Sequence, residues 1–221
     1  MNKVIGISGV AGAGKDTFFE LLSERIPCER YSLADELKRE VSQWCRMHYQ
    51  IDSVHCLRKH KEVIRPFLVF HGTTKRSQTE GRYWIDKLND TVIKGDDSKF
   101  KIITDIRYDD YDNDEVSWLK NELNGTLVHI SQYTQRPDTS LHDSPWITRE
   151  YKPPVNSEEA RNDPKIKKKS DFQIEWEFIK NGQIEELGPY VDNFVTWLTK
   201  GHEKETNQGL DLNKESQEGR V

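Results

Sequence analysis

The fold is decided by the stretch Val4-Ile5-Gly6-Ile7-Ser8-Gly9-Val10-Ala11-Gly12-Ala13-Gly14-Lys15-Asp16-Thr17. From Gly9 to Lys15 it reads glycine, four residues, glycine, lysine, the spacing of a phosphate-binding P-loop. Val4, Ile5 and Ile7 precede it as a strand, and Phe18, Leu21 and Leu22 follow at helical spacing. In that setting the glycines let backbone N–H groups curl around phosphate oxygens, and the new helix turns its positive dipole end toward them. Gly9, Ala11, Gly12, Ala13 and Gly14 are expected to line the phosphates of ATP, with Lys15 reaching the outer two. A glycine-rich turn without a ligand would leave the flanking strand and helix unexplained. The position after the lysine ordinarily carries a hydroxyl that holds Mg²⁺. Here it is Asp16, with Thr17 next. A carboxylate is a good ligand for a hard cation, so Asp16 is the expected metal ligand of the site.

The 221 residues and 25.9 kDa suit one core domain with an inserted lid. A net charge of −5 and a pI near 5.9 give no general basic surface, which disfavours nucleic-acid wrapping but not a local phosphate site. Apolar residues make up 34% against 32% charged, which implies a modest core with polar appendages. Cys28, Cys45 and Cys56 are odd in number and lack C-x-x-C spacing, so a reducing cytoplasm is expected, with neither a disulfide framework nor a zinc site. No apolar run is long enough for a membrane span, and the chain enters a strand at once, so no cleavable signal is expected.

Beyond the loop helix, residues 30–33 read as a strand and 34–49 as a helix with Leu37, Val41, Trp44 and Cys45 on one stripe. A connector over 50–58 leads to a helical pattern over 61–70, interrupted by Pro66. A polar loop over 71–81 and a helix over 82–93 follow. Residues 100–105 form a strand ending in Asp105, 112–123 a helix and 126–130 another strand. From 131 to 170 the chain is polar and proline-bearing, and reads as an irregular, lid-like insertion. Residues 172–178 alternate as a strand and 184–198 form the last helix. Residues 201–221 read as a disordered polar tail, which leaves 1–200 as the folded domain. Strands alternating with helices predict a three-layer α/β fold of the P-loop kinase kind. It has a mainly parallel sheet, helices on both faces and ligands at the carboxyl ends of the strands.

Phosphoryl transfer between two anions needs cations beyond Lys15, and arginine grips phosphate bidentately. Asp105 ends a hydrophobic strand where a carboxylate can hold Mg²⁺ or its waters, and Arg107 stands two residues on; a plain strand-end ion pair is the alternative. Arg65 and Arg82 flank the loop bearing Gly72-Thr73, where an acceptor would lie, and Arg76, Arg149 and Arg161 are further candidates. Trp84 either stacks a nucleobase there or belongs to the core. Arg136 opens the lid-like segment and is the candidate to close on the phosphates. The run from Lys165 to Lys169 reads as a solvated surface, and the seven histidines show no metal-ligand spacing.

Several stretches together resemble the deoxynucleoside monophosphate kinases of large tailed bacteriophages. They are Ser8-Gly9 through Gly14-Lys15-Asp16-Thr17, Leu33-Ala34 with Leu37-Lys38, Arg65 ahead of Gly72-Thr73, and Tyr83-Trp84. Asp105-Ile106-Arg107, Val128-His129-Ile130, Ser157-Glu158 and Asp171-Phe172 complete the set. The resemblance spans roughly 1–200, and its specific parts are the loop with Asp16 and the Asp-x-Arg strand end. It implies ATP- and Mg²⁺-dependent conversion of a dNMP to dNDP by a homodimer in the host cytoplasm. It also implies Lys15 and Asp16 on the ATP–metal side, and Arg65, Thr73, Trp84, Asp105 and Arg107 on the acceptor side. Two alternatives stay open. One is a P-loop kinase of another phosphorylated acceptor, of the dephospho-coenzyme A or phosphomevalonate type, to which Asp35 lends credit. The other is a regulatory NTPase without an acceptor; the missing Asn-Lys-x-Asp motif counts against a GTPase.

Overall fold

The computed structural model describes residues 3–137, 147–179 and 183–200; the expected tail over 201–221 lies outside them. In chain order the elements are β1 (Val4–Ser8), α1 (Lys15–Ser23), β2 (Cys28–Tyr31), α2 (Leu33–Tyr49), α3 (Arg58–Gln78), α4 (Arg82–Ile93) and β3 (Phe100–Ile106). They continue with α5 (Glu115–Ser117), which runs into a wider π-helical turn over Trp118–Glu122, then β4 (Thr126–Pro137), β5 (Ile147–Tyr151), α6 (Ser157–Lys169) and β6 (Phe172–Glu177). A 3₁₀ turn over Ile184–Leu187 leads into α7 (Gly188–Lys200).

The strand order is β2-β3-β1-β4-β5, with β6 also pairing to β4. β1, β2, β3, β4 and β6 are mutually parallel, and β5 alone among the described strands runs antiparallel, along the far end of β4. The core divides as a parallel sheet covered on both faces requires. Ile5 and Ile7 of β1, Ile102, Val128 and Ile174 point to one face, under Phe18 and Leu22 of α1 and Val191 and Phe194 of α7. Val4, Ile103, Ile106 and Leu127 point to the other, under Leu33, Trp84, Ile85, Leu88 and the π-turn residues Trp118 and Leu119. The fold is therefore the expected mixed α/β arrangement of three layers. No helix among the described residues is long and apolar enough to cross a membrane.

Two segments differ from the sequence reading. The polar loop expected over 71–81 is the second half of α3, which runs unbroken to Gln78 despite Pro66. Its Gly72 faces Leu37 of α2 and offers its carbonyl to Trp84 Nε1 at 3.2 Å, so packing against α2 and α4 overrides the weak helix propensity of its residues. The lid-like segment expected over 131–170 is largely regular. β4 continues to Pro137, β5 pairs back onto it, and 157–169 is helical, capped by Asn156 Oδ1 accepting from Glu159 N at 2.8 Å. Its backbone finds partners on a neighbouring strand, which apolar periodicity does not register.

The carboxyl ends of β1, β2 and β3 bring the glycine-rich loop, the start of α2 and Asp105-Ile106-Arg107 to one edge of the sheet. Asp105 ties two of these together. It is buried; Oδ1 accepts from Leu33 N at 2.9 Å, and Oδ2 accepts from Ser32 Oγ at 2.9 Å and Ala34 N at 2.8 Å. A carboxylate from a distant strand thus caps α2 and meets the positive end of its dipole. Asp105→Ala is expected to cost about 2 kcal/mol, because it leaves two amides and a hydroxyl unsatisfied in a buried place. Urea unfolding measures this. A metal-only role would leave stability unchanged and raise the Mg²⁺ requirement instead.

Candidate active site

The loop over 9–14 is drawn tightly onto the sheet. A Cβ on Gly9 (φ 132°) would lie 2.3 Å from the Ile130 carbonyl oxygen, and one on Gly14 (φ 96°) would lie 2.6 Å from the Trp176 ring. Both positions also need positive φ, so glycine is required twice over. Trp176 of β6 is fully buried and donates its indole N–H to Ala13 O at 2.8 Å. Ala13 is likewise buried, and its N–H closes a turn onto Val10 O at 3.1 Å. Ser8 holds the strand below through its hydroxyl, which donates to Val128 O.

Lys15 opens α1 and bends back over the loop, donating to Gly9 O at 2.6 Å and Val10 O at 2.9 Å. Burial lowers its pKa to about 8, and the nearby Arg107 guanidinium adds to the effect. Asp16 is exposed in the first turn of α1, and Thr17 is half-buried beside it. The amide of Ala11 already binds an anionic group: Glu159 of α6 accepts from it, with Oε1 at 3.2 Å and Oε2 at 3.3 Å. Lys152, just beyond β5, stands over the exposed Gly12, where an added Cβ would meet its Nζ at 2.7 Å. Gly9, Arg107, Glu159 and Asp163 together border a small pocket above the loop.

Arg107 is exposed at the head of β3, and its backbone is anchored from behind. Glu115 Oε2 accepts from Arg107 N at 2.6 Å and from Tyr108 N at 3.1 Å. Burial pushes Glu115 up to about 8, opposed by Arg76, whose Nη1 donates to Glu115 Oε1 at 3.2 Å. Arg76 is itself buried, forked onto Asp114 and stacked on the Tyr108 ring at 3.6 Å. It is scaffold rather than a phosphate ligand. On the other side of Arg107, Lys61 of α3 is held below its usual pKa by burial and then by Lys38, Arg65 and Arg107. Two of these cations are already paired, Lys38 with Asp35 at 2.6 Å and Arg65 with Glu62 at 2.7 Å.

Of the expected site, Lys15, Asp16 and Arg107 stand at the loop, whereas Arg65 is exposed on α3 and paired with Glu62 of the same helix. Four others have protein partners of their own. The Thr73 hydroxyl donates to Val69 O and Phe70 O of its own helix. Arg82 is bound to Asp86 at 2.9 Å and to Glu122 at 3.1 Å, against the π-turn. Trp84 is buried in the core. Arg136 pairs with Glu150 at 2.5 Å across the β4–β5 hairpin, on the wall of the cleft that Lys152 also borders. Asp105 stands at the right edge, but its hydrogen bonds to Ser32, Leu33 and Ala34 serve the start of α2. The basic run at the end of α6 is a surface of ion pairs, among them Lys165–Asp110 and Lys167–Glu175.

Sequence reasoning missed Trp176, Lys152, Glu159, Lys38, Lys61 and Glu115. Asn156 and Glu159 do have the spacing of a helix capping box. That signals a helix start, not a carboxylate reaching the loop. The hairpin, with Lys152 and Phe178, also borders a cleft of about 320 Å³ lined by Tyr133, Thr134, Tyr151 and Pro153.

No protein-family model matches the chain, and no curated protein matches it. Among solved structures it is similar to a dephospho-CoA kinase from Campylobacter jejuni, at 15% identity over 91% of this chain and 99% of that one, with a TM-score of 0.36. It is also similar to a shikimate kinase from Acinetobacter baumannii in complex with shikimate, at 13% identity over 90% of this chain and 96% of that one, again at 0.36. Both neighbours are described as kinases. At these TM-scores neither likeness carries an argument about family, acceptor or activity, which have to be read from this chain's own loop and cleft.

Proposed function

We propose that this protein is an ATP- and Mg²⁺-dependent deoxynucleoside monophosphate kinase, moving the γ-phosphoryl group of ATP onto the 5′-phosphate of a dNMP. The observation that carries the reading is the loop itself: its Ala11 amide donates to a carboxylate, its glycines keep side chains out of the turn, and Lys15 bends back over it. Amides and a lysine so placed suit the phosphates of a triphosphate. Lys152 is the second cation over the loop, in the part first expected of Arg136. The 320 Å³ cleft beside Lys152, with Tyr133, Tyr151 and Phe178 on its walls, has the size and the rings to take the base of the donor nucleotide.

The residues present fit a hard cation. Asp16 offers an exposed carboxylate beside the loop, while the engagement of Asp105 with α2 leaves it a contact through water. When bound, Mg²⁺ supplies charge neutralisation across the phosphate oxygens. Among the described residues no group of three acidic, histidine or cysteine side chains forms a self-sufficient metal site, in keeping with a cation held largely by the nucleotide.

A phosphorylated acceptor is supported by Arg107, exposed beside the loop, and by Lys61, near enough to Arg107 to feel its charge. Their field gathers a second phosphate and orients its oxygen toward the donor, and that oxygen is already ionised, so no general base is required. The choice of a deoxynucleotide among phosphorylated acceptors rests on the resemblance given above. The homodimer and the cytoplasmic setting belong to the same reading.

A coupled ADP-release assay with ATP and each of the four dNMPs tests it, with dephospho-coenzyme A and phosphomevalonate as competing acceptors. Turnover with at least one dNMP is expected; release only with the other acceptors, or hydrolysis indifferent to any acceptor, rejects it. Lys15→Ala is expected to lower kcat/KM on the order of 10³-fold at unchanged thermal stability, the scale of losing a principal transition-state charge. Lys15 also sets a pH dependence. Its pKa of about 8 leaves it charged below that value and neutral above, so ATP affinity is expected to fall as pH rises through 8. Calorimetric titration between pH 7 and 9 reads this, and a flat profile shared with Lys15→Ala would contradict it.

A further inference from the structure

We propose that Glu159 is a built-in stand-in for the ligand phosphate: its carboxylate occupies the anion position of the loop in the empty protein, and a bound triphosphate displaces it. The inference rests on the reading of the loop as a polyphosphate cradle. It goes beyond that reading by assigning the cradle an internal competitor and a latch.

The contacts are specific. Both carboxylate oxygens of Glu159 accept from Ala11 N, and Oε2 also accepts from Val155 N at 3.1 Å. Its own amide is held by the Asn156 cap, so the side chain leaves from the first turn of α6 in a defined direction. In a capping box the glutamate three residues into the helix would return to the cap residue's N–H. Here it passes over that group and reaches the residue before the cap and a loop almost 150 positions away in sequence. Glu159 also lies close enough to Lys15 to favour its charged form. An ionised carboxylate on a P-loop amide beside a lysine reproduces the chemistry of a phosphate oxygen, and two anions cannot share that place.

The latch spans a short strap. Residues 152–159 leave β5 with Lys152 over Gly12 and enter α6 with Glu159 on Ala11, so the strap touches neighbouring positions of the loop at both ends. Entry of a polyphosphate frees the α6 end. At the same time it gives Lys152 an anion to bind. The strap therefore exchanges an internal charge contact for a contact with the ligand, and the empty loop keeps its shape because an anion always occupies it.

The test compares wild-type protein with Glu159→Ala and the isosteric Glu159→Gln. Inorganic tripolyphosphate serves as a probe of the cradle alone, alongside Mg²⁺–ATP, both measured by calorimetry. Removing a charged competitor of this kind is expected to tighten tripolyphosphate binding about tenfold in Glu159→Ala and to a smaller degree in Glu159→Gln. In wild-type protein, hydrogen exchange at the Val155 amide is expected to quicken when tripolyphosphate binds, while exchange at Ala11 slows. Wild-type binding that both variants merely match or fall below, with Val155 exchange unchanged, overturns the latch and leaves the cradle reading intact. Failure of all three proteins to bind either ligand overturns the cradle reading, and the latch with it. Melting curves identify a variant that fails to fold, and the exchange measurement on wild-type protein decides the matter independently of either variant.

Discussion

The close seating of the glycine-rich loop on the strands beneath it governs the rest of the site. Gly9 lies against the Ile130 carbonyl, Gly14 against the Trp176 ring, and the Trp176 indole binds Ala13 O. Each contact is short enough that one additional carbon would lift the loop from the sheet. The same tryptophan packs toward Phe18 of α1, which meets Phe194 of α7 edge-on at 5.5 Å. The loop's amides are therefore aimed before any ligand arrives, and a preorganised cradle does not lose binding energy to ordering itself.

Buried charge does the remaining positioning. Asp105 joins β3 to the start of α2, and Arg76 joins the end of α3 to the segment after β3 through Asp114 and Glu115. An isolated charge in such a place would be costly, yet each is met by donors or by an opposite charge, which makes removal of one partner far more damaging than the pair is stabilising. The result is mechanical. Arg107 and the Lys38, Lys61 and Arg65 side chains come from three different elements, and the buried network sets how those elements meet. Residues that look catalytic by type, Asp105 and Arg76 among them, hold the frame, while Arg107 borders the pocket at the loop.

The legible parts of the chain were those whose physics is local. A strand of alternating apolar residues, glycines at fixed spacing and a helix after a lysine are decided within about twenty positions, and α4 appears at the bounds its periodicity marks. The second half of α3 was not legible, because Gly72 and Thr73 read as a loop until Leu37 and Trp84 are packed against them. Nor was the β4–β5 hairpin, since its polar residues earn their regularity from backbone pairing with a neighbour. Thr73 and Arg82 carry plausible chemistry in sequence, but the partners that engage them, Val69 O and Phe70 O for one and Asp86 and Glu122 for the other, are not visible there.

By itself, then, the sequence determined that a parallel α/β sheet carries a glycine-rich loop of P-loop spacing at Gly9–Lys15, that Asp16 stands where a hydroxyl is usual, and that Asp105 and Arg107 stand at the end of a strand. Only the tertiary structure decided that Asp105 caps α2, that Trp176 clamps the loop, and that Lys152 and Glu159 stand over it. The reason is range. Propensity and periodicity act between neighbours along the chain, whereas a carboxylate's role depends on which donors lie within 3 Å of it, and folding brings those from anywhere.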